Sequence, residues 1–221
     1  MSPSRYLAVR AVTDRIVAGT ALVVLSPLML AIAASILVAM GRPVLFRQRR
    51  VGTGGEDFSI VKFRTLVRDA ERLGAGYVLP GMDLVPPLGH VLRSTSLDEL
   101  PQLWNILVGE MAFVGPRPAM RDQYERYTDR QRGRVSVPQG VTGLAQVRYR
   151  DAATFSTRIE ADLEYVATVS LRTDVRLLVA TISAVTRHDG IVQHQTPEDI
   201  DDLGDRRTSV APDATTEGKS R

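Results

Sequence analysis

The chain contains no cysteine, which excludes a disulfide framework and any cysteine-ligated zinc site. Its three histidines, His90, His188 and His194, show no metal-ligand spacing and read as surface or loop residues. Aromatic residues make up only 5% of the sequence, with one tryptophan, Trp104. That scarcity argues against a nucleic-acid surface built on stacked bases. Charge is absent altogether from Ile16 to Met40, and acids are absent from Arg42 to Arg50. No internal repeat is present. At 221 residues with a net charge of only +3, the chain accommodates one modest domain and an appendage.

The charge-free run is the first positive feature. At about 1.5 Å per residue, a helix of this length exceeds a bilayer core of roughly 30 Å. A cleaved signal peptide fits less well, because the run is long and lacks a small-residue cleavage site. Two features argue against a plain span. Ser26-Pro27 lies mid-run, where proline removes a helical hydrogen bond. Arg5, Arg10 and Arg15 precede the run and Arg42, Arg47, Arg49 and Arg50 follow it, so the positive-inside rule places both flanks on one side. A straight span and a re-entrant hairpin broken at Ser26-Pro27 both remain open on this reading.

Beyond the run the pattern is that of a small soluble domain. Residues 43–46 and 58–63 read as short strands around a turn at Gly52-Thr53-Gly54-Gly55. That turn is a hairpin more readily than a phosphate cradle, since no lysine–serine pair follows it. Helices are expected over 65–73, 97–108, 119–134, 156–169 and 172–187, with a loop at 74–87. Residues 141–147 read as a tight turn leading into a strand. Leu97, Leu100, Leu103, Trp104 and Leu107 form one apolar stripe, so Trp104 reads as core or membrane-interface packing. The helix at 172–187 carries Val175, Leu178, Val179, Ile182 and Val185 at helical spacing, backed by Arg172, Arg176 and Arg187. It suits the core or an anionic membrane surface, with core packing the commoner outcome. From Gln193 onward the composition is that of a disordered tail.

The chemistry concentrates in Ser96-Leu97-Asp98-Glu99-Leu100-Pro101-Gln102 and in Gly115-Pro116-Arg117-Pro118. Adjacent carboxylates are a nucleophile or magnesium ligands in the making, and an arginine between prolines is a phosphate clamp. The local alternative is a capping box in which Ser96 caps a helix and Glu99 reaches back to it.

These residues carry a family resemblance. The matching segments are Arg10-x-x-x-Asp14, Ser26-Pro27, Phe46-x-Gln48-x-Arg50-x-Gly52, Lys62-Phe63-Arg64-Thr65 and Arg93-x-x-Ser96-Leu97-Asp98-Glu99-Leu100-Pro101-Gln102-Leu103-Trp104-Asn105. Gly115-Pro116-Arg117-Pro118 and Thr142-Gly143-Leu144-Ala145-Gln146-Val147 complete the series. The chain resembles bacterial sugar transferases of the monotopic polyprenyl-phosphate phosphoglycosyl transferase type, in the minimal form, over roughly residues 10–190.

The resemblance implies transfer of a sugar 1-phosphate from a nucleotide diphosphate sugar, usually a UDP-sugar, to a membrane polyprenyl phosphate, as the opening step of surface-glycan synthesis. It implies Asp98 as nucleophile, Glu99 beside it as metal ligand or base, and Mg²⁺ as cofactor held by the pair. Lys62, Arg64, Arg93, Arg117 and Gln146 become candidates for the phosphates and nucleotide. Ser26, Pro27, Arg10 and Asp14 belong to the membrane element, which the resemblance makes re-entrant. The expected fold is a small, helix-rich mixed α/β cytoplasmic domain with a re-entrant membrane hairpin and membrane-interface helices. Its parts are a hairpin over 1–42, a catalytic domain over 43–192 and a disordered tail over 193–221. The expected setting is the cytoplasmic face of the inner membrane, on anionic lipid, without nucleic acid and with a homo-oligomer left open.

The sequence departs from the family pattern in several places. Val9 stands where a lysine usually precedes Arg10. Pro138-Gln139-Gly140 replaces Arg-Pro-Gly, Tyr149-Arg150 replaces Gly-Arg, and Leu84-Val85-Pro86-Pro87 replaces a basic segment. Altered loops of this kind also suit a catalytically inactive scaffold of glycan assembly.

Overall fold

The apolar run is helical, and the helix reaches further forward than the run itself. In a computed structural model, which describes residues 2–68, 84–149, 153–186 and 201–204, helix α1 covers Pro3–Met40. Ser2 caps it by accepting from the Arg5 N–H at 3.4 Å, and Gly41 ends it at φ 73° with its N–H on the Leu37 carbonyl at 3.1 Å. Pro27 lies inside α1. A proline there cannot donate to the carbonyl four residues back, that of Val23. Ser26 supplies the missing donor, its hydroxyl meeting the Val23 carbonyl at 2.7 Å. The Ser-Pro pair thus repairs its own defect, and residues 3–40 form one helix, not two helices with a break between them.

α1 packs along most of its length. Ala18, Ala21, Leu22 and Leu25 meet Ile60, Leu103, Ile106 and Met111. Further on, Met29, Ile32, Ala33 and Ile36 meet Phe63, Leu88, Leu92 and Leu97. Its other side exposes Val12, Ile16, Val23, Val24, Leu30 and Val38.

Strand β1 (Leu45–Val51) pairs antiparallel with β2 (Asp57–Phe63), from Leu45 opposite Phe63 to Val51 opposite Asp57. The strand therefore begins later than residue 43 and runs on through the basic Arg47–Arg50 segment. The twofold strand period makes this workable. Arg47 and Arg49 point outward, while Phe46, Gln48 and Arg50 turn inward.

The helix expected from residue 65 is absent over 65–68, where the chain bends and turns while its backbone bonds to two neighbours. The Arg64 N–H takes the Val44 carbonyl at 2.9 Å and the Val67 N–H takes the Leu84 carbonyl at 3.0 Å. The rest of that helix, and most of the loop after it, lies outside the described residues. Helix α2 covers Pro87–Ser94, and Gly89 is required in it: a Cβ there would sit 2.2 Å from the Thr65 carbonyl oxygen.

The expected helix at 97–108 divides into a 3-10 turn at Leu97–Glu99 and helix α3 at Gln102–Val108. Pro101, which has no N–H, sits at the join. Trp104 is exposed, apart from the leucines that face α1.

Strand β3 (Ala112–Val114) runs parallel to β4 (Gly140–Thr142). Between them, the expected single helix at 119–134 is two short ones, α4 (Arg121–Glu125) and α5 (Asp129–Arg132), followed by a 3-10 turn. Thr128 restarts the helix by a capping box with Gln131, accepting its N–H at 3.3 Å and donating its own N–H to Oε1 at 2.9 Å. Residues 141–147 show the reverse of the expected order, since β4 comes first and helix α6 (Leu144–Tyr149) follows.

Helices α7 (Phe155–Thr168) and α8 (Leu171–Thr186) close the domain. Among the described side chains of α8 only Asp174 and Leu177 are buried, while Leu171, Val175, Leu178, Val179 and Ile182 face outward. The apolar stripe favoured as core packing is an exposed face. Part of the expected disordered tail is also ordered. Leu203 joins Ala119, Tyr127 and Ile159 in a small core, and Asp201 pairs with Arg126 at 2.6 Å. The whole is helix-rich with a mixed α/β centre, as expected.

Candidate active site

Asp98 and Glu99 occupy the 3-10 turn between α2 and α3. Ser96 opens that turn in the left-handed region at φ 57°, an uncommon conformation for a residue with a side chain. The capping box does not form: Ser96 makes no side-chain cap, and Glu99 points elsewhere. Its Oε1 accepts from Lys62 Nζ on β2 at 2.6 Å and from the Arg117 guanidinium at 2.9 Å. Two charge-assisted bonds outweigh one reciprocal bond to a backbone N–H.

The Gly115-Pro116-Arg117-Pro118 turn follows β3. Its first residue must be glycine, since a Cβ at 115 would lie 2.2 Å from the Pro138 carbonyl oxygen. The close approach lets the turn dock on β4: the Gly115 N–H reaches the Thr142 carbonyl at 2.8 Å.

The resulting electrostatics separate the two acids. Lys62 and Arg117 push the Glu99 carboxyl down to about 2, against the opposing effect of burial. Asp98 is pushed up to about 6, by burial first and by the Glu99 charge second. Lys62, Arg93 and Arg117 offset that only in part. The Lys62 ammonium is itself lowered, by burial and then by Arg117. Asp98 is therefore an under-neutralised carboxylate beside a fully neutralised one.

Lys62, Arg117, Asp98 and Glu99 come together as the sequence leads one to expect. Arg93 lies exposed on α2, near enough to act on Asp98 through its charge. Arg64 does not join them. Its guanidinium donates to the carbonyls of Met40 at 2.5 Å, Gly41 at 2.7 Å and Arg42 at 3.0 Å. It satisfies the carboxyl end of α1, where a cation also complements the helix dipole. Gln146 lies on α6 with both amide atoms buried, and no hydrogen bond joins it to Asp98 or Glu99.

Ser26 and Pro27 sit within α1, while Arg10 and Asp14 fasten its first part. Arg10 donates to Tyr165 Oη at 2.7 Å and Asp174 Oδ2 at 2.8 Å, and Asp14 accepts from the Phe113 N–H at 3.4 Å. Tyr6 and Tyr165 both donate to Asp174, at 2.5 and 2.8 Å. Sequence reasoning missed Asp174, Tyr165 and Tyr6. One signal was available: Asp174 is the only acid in a helix otherwise apolar and basic.

Asp98 and Glu99 supply hard oxygen donors at adjacent positions, with the Asp98 carboxyl raised by burial and then by the Glu99 charge. Among the described residues no cluster of three or more metal-ligating side chains occurs. Two adjacent carboxylates are a donor set of the kind Mg²⁺ takes, since that ion commonly uses one or two carboxylates and completes its shell with water and substrate phosphate.

The carboxylate pair thus lies among cations, in a fold whose α1 is by length and composition apolar enough to cross a membrane. The chain belongs to the bacterial sugar transferase family, whose model matches residues 5–188. It is 38% identical over 174 residues to the uncharacterized sugar transferase EpsL of Bacillus subtilis, covering 78% of this chain and 85% of that one. With the UDP-glucose:undecaprenyl-phosphate glucose-1-phosphate transferase of Xanthomonas campestris it shares 39% identity over 185 residues, which is 80% of this chain and 38% of the relative. With the UDP-N-acetylgalactosamine-undecaprenyl-phosphate N-acetylgalactosaminephosphotransferase of Aeromonas hydrophila it shares 38% over 186 residues, 81% and 44% of the two chains. The chain thus spans less than half the length of these last two relatives.

Proposed function

We propose that this protein transfers a sugar 1-phosphate from a UDP-sugar to a membrane polyprenyl phosphate, through a phosphosugar ester on Asp98. The observation that carries the proposal is the division of labour in the acid pair. Lys62 and Arg117 are both spent on Glu99, which leaves the adjacent Asp98 under-neutralised in a strained turn. Donor and acceptor class follow the named activities of the Xanthomonas and Aeromonas relatives.

In the first step an Asp98 carboxylate oxygen bonds to the sugar-linked phosphorus, and UMP leaves with the electron pair of the broken P–O bond. In the second, a phosphate oxygen of the lipid attacks the same phosphorus and Asp98 departs as carboxylate. Phosphoryl transfer is chiefly positioning and charge neutralisation, which Lys62 and Arg117 serve at the cluster's edge and Arg93 serves from α2. Glu99, pushed down to about 2, is a poor base and acts by holding the two cations in place. Mg²⁺ held by Asp98 and Glu99 would neutralise the diphosphate.

The membrane reading rests on how α1 is fastened. Arg10 and Asp14 near one end, and Arg64 at the other, tie it to the same domain. A helix fastened to one domain at both ends keeps both ends on the same side of the membrane, and Pro27, which lacks a backbone donor, is the point at which it would bend to dip into one leaflet. The arginine flanks favour the cytoplasmic face. The exposed stripe of α8 then lies at the membrane interface.

The test is a panel of UDP-sugars, led by UDP-glucose and UDP-N-acetylgalactosamine, given to membrane-embedded protein with polyprenyl phosphate and Mg²⁺. Release of UMP with formation of a polyprenyl diphosphate sugar is the expected result. No UMP from any donor contradicts the proposal and makes the protein an inactive scaffold.

A further inference from the structure

The arginine turn cannot hold its own shape. Pro116 and Pro118 have no N–H, so the turn's carbonyls must find donors elsewhere in the fold. They do so one after another. The Pro116 carbonyl accepts from the Gly140 N–H at 2.9 Å, and the Ala119 carbonyl accepts from the Val51 N–H at 2.9 Å. The two carbonyls between them are taken by arginines. Arg134 donates to the Arg117 carbonyl at 2.8 Å, and Arg50 donates to the Pro118 carbonyl at 3.3 Å.

Each of these guanidinia is also anchored by other partners. Arg134 is buried and donates to Tyr127 Oη at 2.9 Å and to Asp162. Arg50 donates to Gln48 Oε1 at 2.5 Å. Arginine suits the task because its planar fork serves an anchor and a carbonyl together, with no freedom to drift between them. A lysine ammonium would offer its three donors from one rotating point, without that fixed fork.

We infer that Arg134 and Arg50 are positioning residues for Arg117. They grip the Arg117–Pro118 and Pro118–Ala119 peptide units, while Gly140 holds the Pro116 carbonyl on the near side, and so fix the direction in which the Arg117 side chain leaves the turn toward Glu99. The inference rests on the proposed role of Arg117 at the phosphates. It assigns a purpose to Arg50 and Arg134 that neither charge nor packing alone gives them.

A coupling cycle tests it. Arg50→Met is the gentler variant, and the pair Arg134→Met with Asp162→Leu removes the second grip without stranding a buried charge. Each is made with Arg117 intact and with Arg117→Ala, in membrane-embedded protein. Turnover is read with the member of the UDP-sugar panel that releases UMP, and amide exchange is followed across residues 115–120.

Arg117→Ala should lower turnover roughly 10²- to 10³-fold, as removal of a charge-stabilising donor does. Arg50→Met should lower kcat about tenfold with Arg117 present and less than about twofold with Arg117→Ala, because a group that acts through another loses its effect when that other is gone. The double variant should behave in the same way, and exchange across 115–120 should quicken in both. Equal losses with and without Arg117, or unchanged exchange in Arg50→Met, would overturn the inference. Full activity in Arg117→Ala would instead overturn the role proposed for Arg117, while exchange still reports whether the grip exists.

Discussion

Two clusters of opposite charge lie on either side of the arginine turn, and they are built to different ends. In one, Arg134 and Asp162 are 6% and 1% exposed and paired with each other, and Arg134 also donates to Tyr127 Oη and to the Arg117 carbonyl. In the other, Lys62, Glu99 and Arg117 share a single oxygen, Arg117 is 45% exposed, and Asp98 is left without a full counter-charge. The closed cluster buries one acid against one arginine, out of reach of a substrate, and so serves to hold the fold. The open one keeps unspent negative potential at Asp98, which suits a site that waits for a cation or a phosphorus centre. The same residue types thus serve rigidity or reactivity according to whether the charges balance within the fold.

Breaking the open cluster at its reactive member should give the largest effect. Asp98→Asn should lower turnover by roughly 10³-fold or more, with unfolding unchanged, because the amide is a poor nucleophile. Breaking the closed cluster should act on stability instead. Asp162→Leu leaves Arg134 buried and uncompensated, at a cost of about 3–5 kcal/mol, and thermal unfolding will show it; adding Arg134→Met should restore most of the loss. Arg117→Lys sharpens the contrast, since it keeps the charge and loses the fork. A fall in kcat of roughly 10- to 100-fold with little change in melting temperature is expected. The smallest effect should come from Ser26→Ala, which leaves the Val23 carbonyl unpaired beside Pro27 at about 1 kcal/mol, read as faster amide exchange around residue 27.

Much of the open cluster was legible in the chain. The pair at 98–99, the arginine between prolines and Lys62 stand in short motifs whose chemistry is local and recognisable. The closed cluster was not, because Arg134 and Asp162 fall in ordinary charged segments and acquire meaning only when α7 packs beside the turn. Arg64 misled for a related reason. Its position in Lys62-Phe63-Arg64-Thr65 invites a phosphate, but the carbonyl end of α1 lies nearer and needs a donor. Glu99 was available for a capping box until two cations from other elements claimed it.

Element boundaries failed where tertiary contacts override the local pattern. The Arg47–Arg50 run becomes a strand because β2 pairs with it, and Thr128 divides a segment whose charge pattern reads as one helix. On α8 the periodicity was right and its direction was not. An apolar stripe alone does not say whether core or lipid will cover it.

The account turns on Asp98 as a nucleophile, and the direct measurement is intact-protein mass after mixing with the UDP-sugar donor in the absence of polyprenyl phosphate. The account predicts UMP release up to about one equivalent per protein, a mass gain equal to the sugar phosphate on the peptide containing Asp98, and neither signal in Asp98→Asn. UMP release that strictly requires the lipid, with no adduct on the protein, would contradict it and leave direct transfer in a ternary complex.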